Sequence, residues 1–170
     1  MQLLLGFINN IEMKIKIFDN FLKETELSYI NNFTNNKKWV IQISSKDGDL
    51  EFLYLDVLHE KFFNSYLFNE IKKKLDHEYV LEKIYFNGQW PGRDGSFHKD
   101  PCKLTALFYV NPYNPEWGGF TQFLISPTEQ YIIPPIQNRL ITFPGDIAHK
   151  AYSYSNQNCP MRISLAYKLL

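Results

Sequence analysis

Two hydrophobic periods divide this chain. In "KIKIFDNFL" polar and apolar residues alternate, which predicts a first strand at 14–18. Leu27, Ile30 and Phe33 then recur at helical spacing, with Thr25 as the expected N-cap. "KWVIQIS" returns to period two. At 60–75, Phe63, Leu67, Ile71 and Leu75 repeat every four residues, predicting a second amphipathic helix. Lys72, Lys73 and Lys74 fall in its last turn, where positive charge suits the helix dipole and reads as a solvated end.

Beyond residue 80 the texture changes. Short runs rich in Val, Ile, Phe, Tyr and Thr alternate with clusters of Gly, Pro, Asn and Asp. The runs are "YVLEKIYFN", "SFHKD", "KLTALFYVN", "GFTQFLIS", "RLITFP", "IAHKAYSY" and "MRISLAYKLL", and no three-turn helix fits between them. The pattern predicts a mainly β fold with flanking helices, a sandwich or barrel buttressed on one side. Neither a linker nor an internal repeat interrupts it. The expected organisation is one domain over 1–170, with helical support in 1–80 and the β core in 80–170.

Composition narrows the function classes. With 45% hydrophobic and 16% aromatic residues, 170 residues suffice for a packed core. Eighteen basic and eighteen acidic residues cancel, so no global field draws in nucleic acid or an anionic membrane. Cys102 and Cys159 match no paired zinc spacing, and such sparse use fits a reducing, cytoplasmic setting. The apolar start "MQLLLGFINNIEM" lacks a basic flank and is too short to span a bilayer; Met13 is a candidate start in its own right.

Strand periodicity then sorts the chemistry. In an extended "SFHKD", His98 and Asp100 project to one side. Thr105, Leu107 and Tyr109 share a face of the next run. In the last run Met161, Ile163, Leu165 and Tyr167 form an apolar face, and Arg162, Ser164 and Ala166 point the other way. An arginine beside a hydroxyl and a small residue describes a cavity wall with room for an anion. His149 follows a Pro144-Gly145 turn, expected to be type II. Two imidazoles and a carboxylate from separate strands are the ligand set of the facial triad that holds Fe(II) by one side. The helical H-E-x-x-H spacing of zinc hydrolases is absent.

Taken together, H-x-D, "LFYVNPYNPEWGGFTQF", "NRLITFPGDIAHKAY" and the R-x-S of "MRISLAYKL" resemble the 2-oxoglutarate/Fe(II)-dependent dioxygenases, in their prolyl 4-hydroxylase-like branch. The resemblance covers roughly residues 80–170 and implies a double-stranded β-helix, or jelly-roll, core. It implies Fe(II) on His98, Asp100 and His149, with 2-oxoglutarate and O2 as cosubstrates and ascorbate as a further cofactor. Arg162 would pair with the distal carboxylate of 2-oxoglutarate through its planar fork. Tyr109 would offer its hydroxyl to the same carboxylate, Thr121 and Ser164 would line that pocket, and Tyr85 would stand at its wall. Relatives commonly carry an acidic residue after the second glycine of "WGG", where this chain has Phe120. The stretch between His149 and Arg162 is also longer than in some branches, so "SYSNQNCP" must bulge.

The implied reaction is hydroxylation of an unactivated C–H bond, since the Asp100 carboxylate fills the place a related halogenase leaves to chloride. The implied substrate is a prolyl residue in a peptide or protein. Trp90, Arg93 and the glycine-rich segment around them are expected to form a mobile cover over it. A free amino acid or other small molecule is the runner-up, an alkylated nucleobase the weakest, and a non-catalytic jelly-roll binding module the rival from another class. His59 and His77 read as surface residues, Trp117 as packing under a loop, and Cys102 as a buried thiol.

Overall fold

The computed structural model describes residues 15–42 and 51–170, so the first fourteen residues, Met13 and Lys14 included, lie outside the described residues. In chain order the elements are β1 (Lys16–Phe18), α1 (Glu24–Asn35), β2 (Val40–Gln42) and β3 (Phe52–Asp56). A π-helical stretch (Phe62–Leu67) then runs straight into α2 (Phe68–Lys72). There follow β4 (Leu81–Gln89), β5 (Leu104–Tyr109), a 3-10 turn (Pro115–Trp117), β6 (Thr121–Ser126), β7 (Glu129–Ile133), β8 (Leu140–Pro144), β9 (Ala148–Ala151) and β10 (Arg162–Leu169).

Seven strands form one antiparallel sheet in the order β1-β8-β5-β10-β4-β3-β2, and three form a smaller one, β7-β6-β9. This is the expected jelly-roll, mainly β with flanking helices. Residue 80 is not a boundary in it: β1, β2 and β3 come from the region read as helical support, yet belong to the large sheet. β7, absent from the runs read as strands, closes the small sheet against β6. "SFHKD" contributes only a single bridge, at His98.

β10 lies between β4 and β5 and is buried on both faces along all eight residues. Its alternation splits the core in two. Ile163, Leu165, Tyr167 and Leu169 face the helices, where they meet Leu27, Ile30, Phe63 and Ile71. On the other side, Leu107, Tyr109, Phe123, Ile141, Phe143 and Ala166 fill part of the space between the sheets. The remainder of that space is a cavity.

Both helices differ from expectation at their ends. α1 begins before Thr25, because Glu26 reaches back to accept the backbone N–H of Lys23 at 2.9 Å, and Lys23 takes the N-cap position. The four-residue repeat is widened by the π stretch, which brings Phe68 as well as Leu67 into the core. Phe68 stacks on Tyr167 of β10, ring centroids 6.2 Å apart, and the helix stops at Lys72 rather than 75. Among the described residues no helix is long and apolar enough to cross a membrane.

Phe63 is the keystone of the helix-to-sheet packing. It is fully buried, edge-on to Phe33 at 4.9 Å and to Phe86 of β4 at 5.3 Å. Phe63→Ala should lower the unfolding free energy by about 3–5 kcal/mol, measured by urea titration, because the cavity left behind cannot collapse between two rigid elements.

Candidate metal centre and anion pocket

The H-x-D segment reaches its place through backbone hydrogen bonds to the end of β8 and to β9. His98 and His149 exchange both of theirs, His98 N–H donating to His149 at 3.0 Å and His149 N–H to His98 at 2.9 Å. This bridge sets the two imidazoles side by side, 4.5 Å between centroids. Two residues on, Asp100 N–H donates to the Gly145 carbonyl at 2.8 Å, and Gly145 N–H donates to Lys103. The turn after Pro144 closes from Ile147 N–H to the Pro144 carbonyl, with neither Gly145 nor Asp146 at positive φ, so it is not type II. Gly145 is needed for proximity instead: a Cβ there would sit 2.2 Å from the Cys102 carbonyl oxygen and 2.9 Å from that of Asp100.

His98, Asp100 and His149 each present a ligand atom, and these atoms lie within 4.8 Å of one another. Each imidazole is oriented from behind. Nδ1 of His98 lies 3.0 Å from the Ser96 carbonyl, and Nδ1 of His149 lies 2.9 Å from that of Ile147. A carbonyl only accepts, so both Nδ1 atoms carry a proton and both rings turn Nε2 toward Asp100. Nε2 of His98 is 3.7 Å from Asp100 Oδ1, and Nε2 of His149 is 3.5 Å from Oδ2. Burial pushes the His149 pKa down to about 4, against the pull of Asp100, so its ring is neutral. For Asp100 burial works upward, but the Lys168 ammonium and hydrogen bonds from Lys168 and Thr105 outweigh it and hold the carboxyl below its usual range. Two imidazoles and an ionised carboxylate converging on one point fit a divalent first-row metal.

The triad opens into a cavity of about 650 Å³ that Thr121, Gln89, Arg162 and Ser164 also line. Arg162 is 1% exposed. Its Nε donates to the Gly119 carbonyl at 2.8 Å, Nη1 to Gln89 Oε1 at 2.9 Å and Nη2 to Thr121 Oγ1 at 3.0 Å. All three partners are neutral, and no carboxylate among the described residues pairs with it. Burial lowers its pKa, yet a guanidinium keeps its proton in proteins, so the cavity holds an uncompensated positive charge. Gly119 makes the close approach possible: its φ is 76°, and a Cβ there would fall 2.5 Å from the Tyr154 ring.

The structure thus brings together seven of the residues singled out in the sequence: His98, Asp100, His149, Arg162, Thr121, Ser164 and Tyr85. Tyr109 stands behind them. It is fully buried, its ring centroid lies 5.4 Å from the Arg162 guanidinium carbon, and its hydroxyl donates to Thr121 at 2.8 Å. Trp90 and Arg93 are not among the residues that line the cavity, and Trp90 is 54% exposed.

The segment carrying them is hydrogen-bonded down. Asp94 accepts from the Ser153 N–H and hydroxyl, both at 2.8 Å, Gly92 N–H donates to the same hydroxyl, and Gly95 N–H to Ala151. Phe52 and Tyr54 of β3 line the cavity instead, a strand that sequence reading passed over. Cys102 is half-buried and lines the cavity too. Gln89, Thr105 and Lys168 were also missed. Lys168 had a signal, being the next step of the inward series Arg162, Ser164, Ala166.

No protein-family model and no curated protein matches the chain. Solved structures share its fold. A prolyl hydroxylase from Trichoplax adhaerens, in complex with a hypoxia inducible factor peptide fragment, superposes with a TM-score of 0.72 at 18% identity, over 92% of this chain and 83% of that one. A Pseudomonas putida prolyl-4-hydroxylase gives a TM-score of 0.72 at 14% identity, over 98% of each chain. HygX from Streptomyces hygroscopicus, with nickel, 2-oxoglutarate and hygromycin B bound, gives 0.69 at 8% identity, over 91% of this chain and 82% of that one. The fold is therefore one found among 2-oxoglutarate/Fe(II) oxygenases, prolyl hydroxylases among them.

Because the Asp100 and Cys102 carbonyls cross directly over Gly145, Gly145→Ala should displace the H-x-D segment. The expected result is a metal affinity weakened at least tenfold in calorimetric titration with Co(II), the scale seen when the groups orienting a metal ligand are lost. The β core should survive, with an unchanged far-ultraviolet circular dichroism spectrum.

Proposed function

We propose that this chain is a 2-oxoglutarate- and Fe(II)-dependent dioxygenase that hydroxylates an unactivated C–H bond of a prolyl residue in a peptide or protein. One observation carries the reading: a His/His/carboxylate triad and a fully buried guanidinium, paired with no carboxylate among the described residues, line the same cavity. A metal site alone fits many chemistries. A metal site sharing its cavity with a buried anion receptor fits a bidentate cosubstrate that ends in a carboxylate.

His98, Asp100 and His149 hold the metal. When bound, Fe(II) supplies oxygen activation coupled to decarboxylation of the keto acid. Arg162 receives the distal carboxylate through its fork, and Thr121 and Ser164 complete the polar wall. Tyr109 backs that wall, its hydroxyl orienting Thr121. Tyr85, whose hydroxyl is kept protonated by burial, extends the wall on the same sheet as the cross-strand partner of Ala166. The apolar packing of Phe123 and Phe143 against His149 keeps water from behind the ligand.

The likeness to prolyl hydroxylases, one of them peptide-bound, supports a prolyl substrate. So does the pair of rings Tyr54 and Tyr85, 5.1 Å apart in the cavity wall, an apolar surface suited to a pyrrolidine. A second reading, a small polar molecule such as a free amino acid, is favoured by a different observation. The cavity is also lined by Asp56, Glu82, Lys83 and Lys99, which could hold a zwitterion, and HygX shows that the fold takes a small molecule. Two free thiols support a cytoplasmic location.

Succinate formation with Fe(II), 2-oxoglutarate, O2 and ascorbate, screened across proline-rich peptides, amino acids and nucleic acids, separates these substrates. Peptide stimulation is expected; stimulation by amino acids with every peptide inert would move the assignment to the second reading. In the same assay Arg162→Ala should raise the apparent KM for 2-oxoglutarate by an amount equivalent to about 2–5 kcal/mol, the cost of losing one half of a desolvated charge pair. Normal turnover by this variant at low 2-oxoglutarate would place the anion site elsewhere.

A further inference from the structure

Asp100 has partners that the triad does not require. Lys168, the last inward residue of β10, is 8% exposed and directs its ammonium at Oδ2 of Asp100, with which it forms an ion pair. Thr105 of β5 donates its hydroxyl to the same oxygen at 2.6 Å, and Lys168 Nζ lies 3.3 Å from that hydroxyl. Lysine is almost never this buried unless paired, and Asp100 is the carboxylate that pairs it. The other carboxylate oxygen, Oδ1, faces His98 Nε2. Two donors on neighbouring strands therefore load Oδ2, which also lies 3.5 Å from His149 Nε2, whereas no donor among the described residues holds Oδ1, the oxygen facing His98.

We propose that Lys168, with Thr105, is a positioning residue that commits Asp100 to binding the metal through Oδ1 alone. This rests on the metal reading above. A carboxylate free to turn can chelate a divalent ion with both oxygens, and each oxygen it adds occupies a position that the keto acid or oxygen needs. Holding Oδ2 with an ammonium and a hydroxyl prevents this at its source. The register makes the arrangement robust: Lys168 pairs with Thr105 across β10 and β5, so the two donors reach Oδ2 from one cross-strand pair. A lysine and a threonine have different effects on the ion itself. The ammonium also repels a divalent cation, whereas the hydroxyl only orients its ligand.

That difference sets the experiment, which uses Co(II) alone as the probe on the purified, metal-stripped full chain. Thr105→Val keeps volume and charge and should weaken Co(II) affinity at least tenfold by calorimetry, the scale seen when groups orienting a metal ligand are lost. Lys168→Met frees Oδ2, so the visible absorption of its Co(II) form should change as a further oxygen joins the ion. Its anaerobic affinity for 2-oxoglutarate should also fall at least tenfold. Unaltered Co(II) affinity in Thr105→Val, or an unaltered spectrum in folded Lys168→Met, overturns the proposal; if Lys168→Met does not fold, Thr105→Val decides alone. A wild-type chain that binds no Co(II) overturns the metal reading and this proposal with it. A wild-type chain that binds Co(II) while the variants match it overturns this proposal only.

Discussion

The register of β10 between β4 and β5 is the constraint on which the molecule depends. Side chains alternate strictly along a strand, so a slip of one residue would exchange its two faces. Leu165 and Tyr167 would then enter the cavity, and Arg162 and Lys168 would be driven into the apolar layer beneath the helices. The penalty for burying two unpaired cations there is large enough to exclude the alternative. The packing of Tyr167 against the second helix, and its hydroxyl bond to the Phe63 carbonyl at 3.0 Å, add a positive reason for the observed register. One strand thus carries both the core and the polar chemistry.

The two cations on that strand are treated in opposite ways. Lys168 is neutralised within the protein by Asp100. Among the described residues Arg162 is met only by neutral dipoles, from Gly119, Gln89 and Thr121. A buried charge held by dipoles alone persists when a ligand of opposite sign completes it, which is why the pocket reads as an anion receptor and not as a structural ion pair. Arg139 is the internal contrast. It too is buried, but Asp19 meets it with two hydrogen bonds, at 2.6 and 2.9 Å, and it joins the start of the chain to β8 without facing the cavity.

Much of this site was legible in the chain because it is built from strands. Period two places His98 with Asp100 and Arg162 with Ser164 without knowledge of the fold, and the order of these residues carries the family resemblance. What failed to show was set by contacts distant in sequence. β7 and β3 are short and partly exposed, so their alternation is weak, and only pairing with β6 and β4 defines them. Gly145 looked like a turn glycine, yet its requirement comes from the Cys102 and Asp100 carbonyls passing over it. Trp90 looked like part of a mobile substrate cover because its segment is rich in glycine. The clasp from Asp94 to Ser153, fifty-nine residues away, could not be seen from composition.

The central claim is that one cavity holds a metal on His98, Asp100 and His149 and a carboxylate on Arg162. Diffraction from crystals grown anaerobically with Mn(II) and 2-oxoglutarate, with data at the manganese edge, tests both halves at once. The account predicts one strong anomalous peak about 2.0–2.2 Å from His98 Nε2, Asp100 Oδ1 and His149 Nε2, extrapolating from other first-row ions. It also predicts the distal carboxylate of the keto acid in bidentate contact with Arg162. A peak away from the triad, or 2-oxoglutarate bound with its distal carboxylate remote from Arg162, would contradict it.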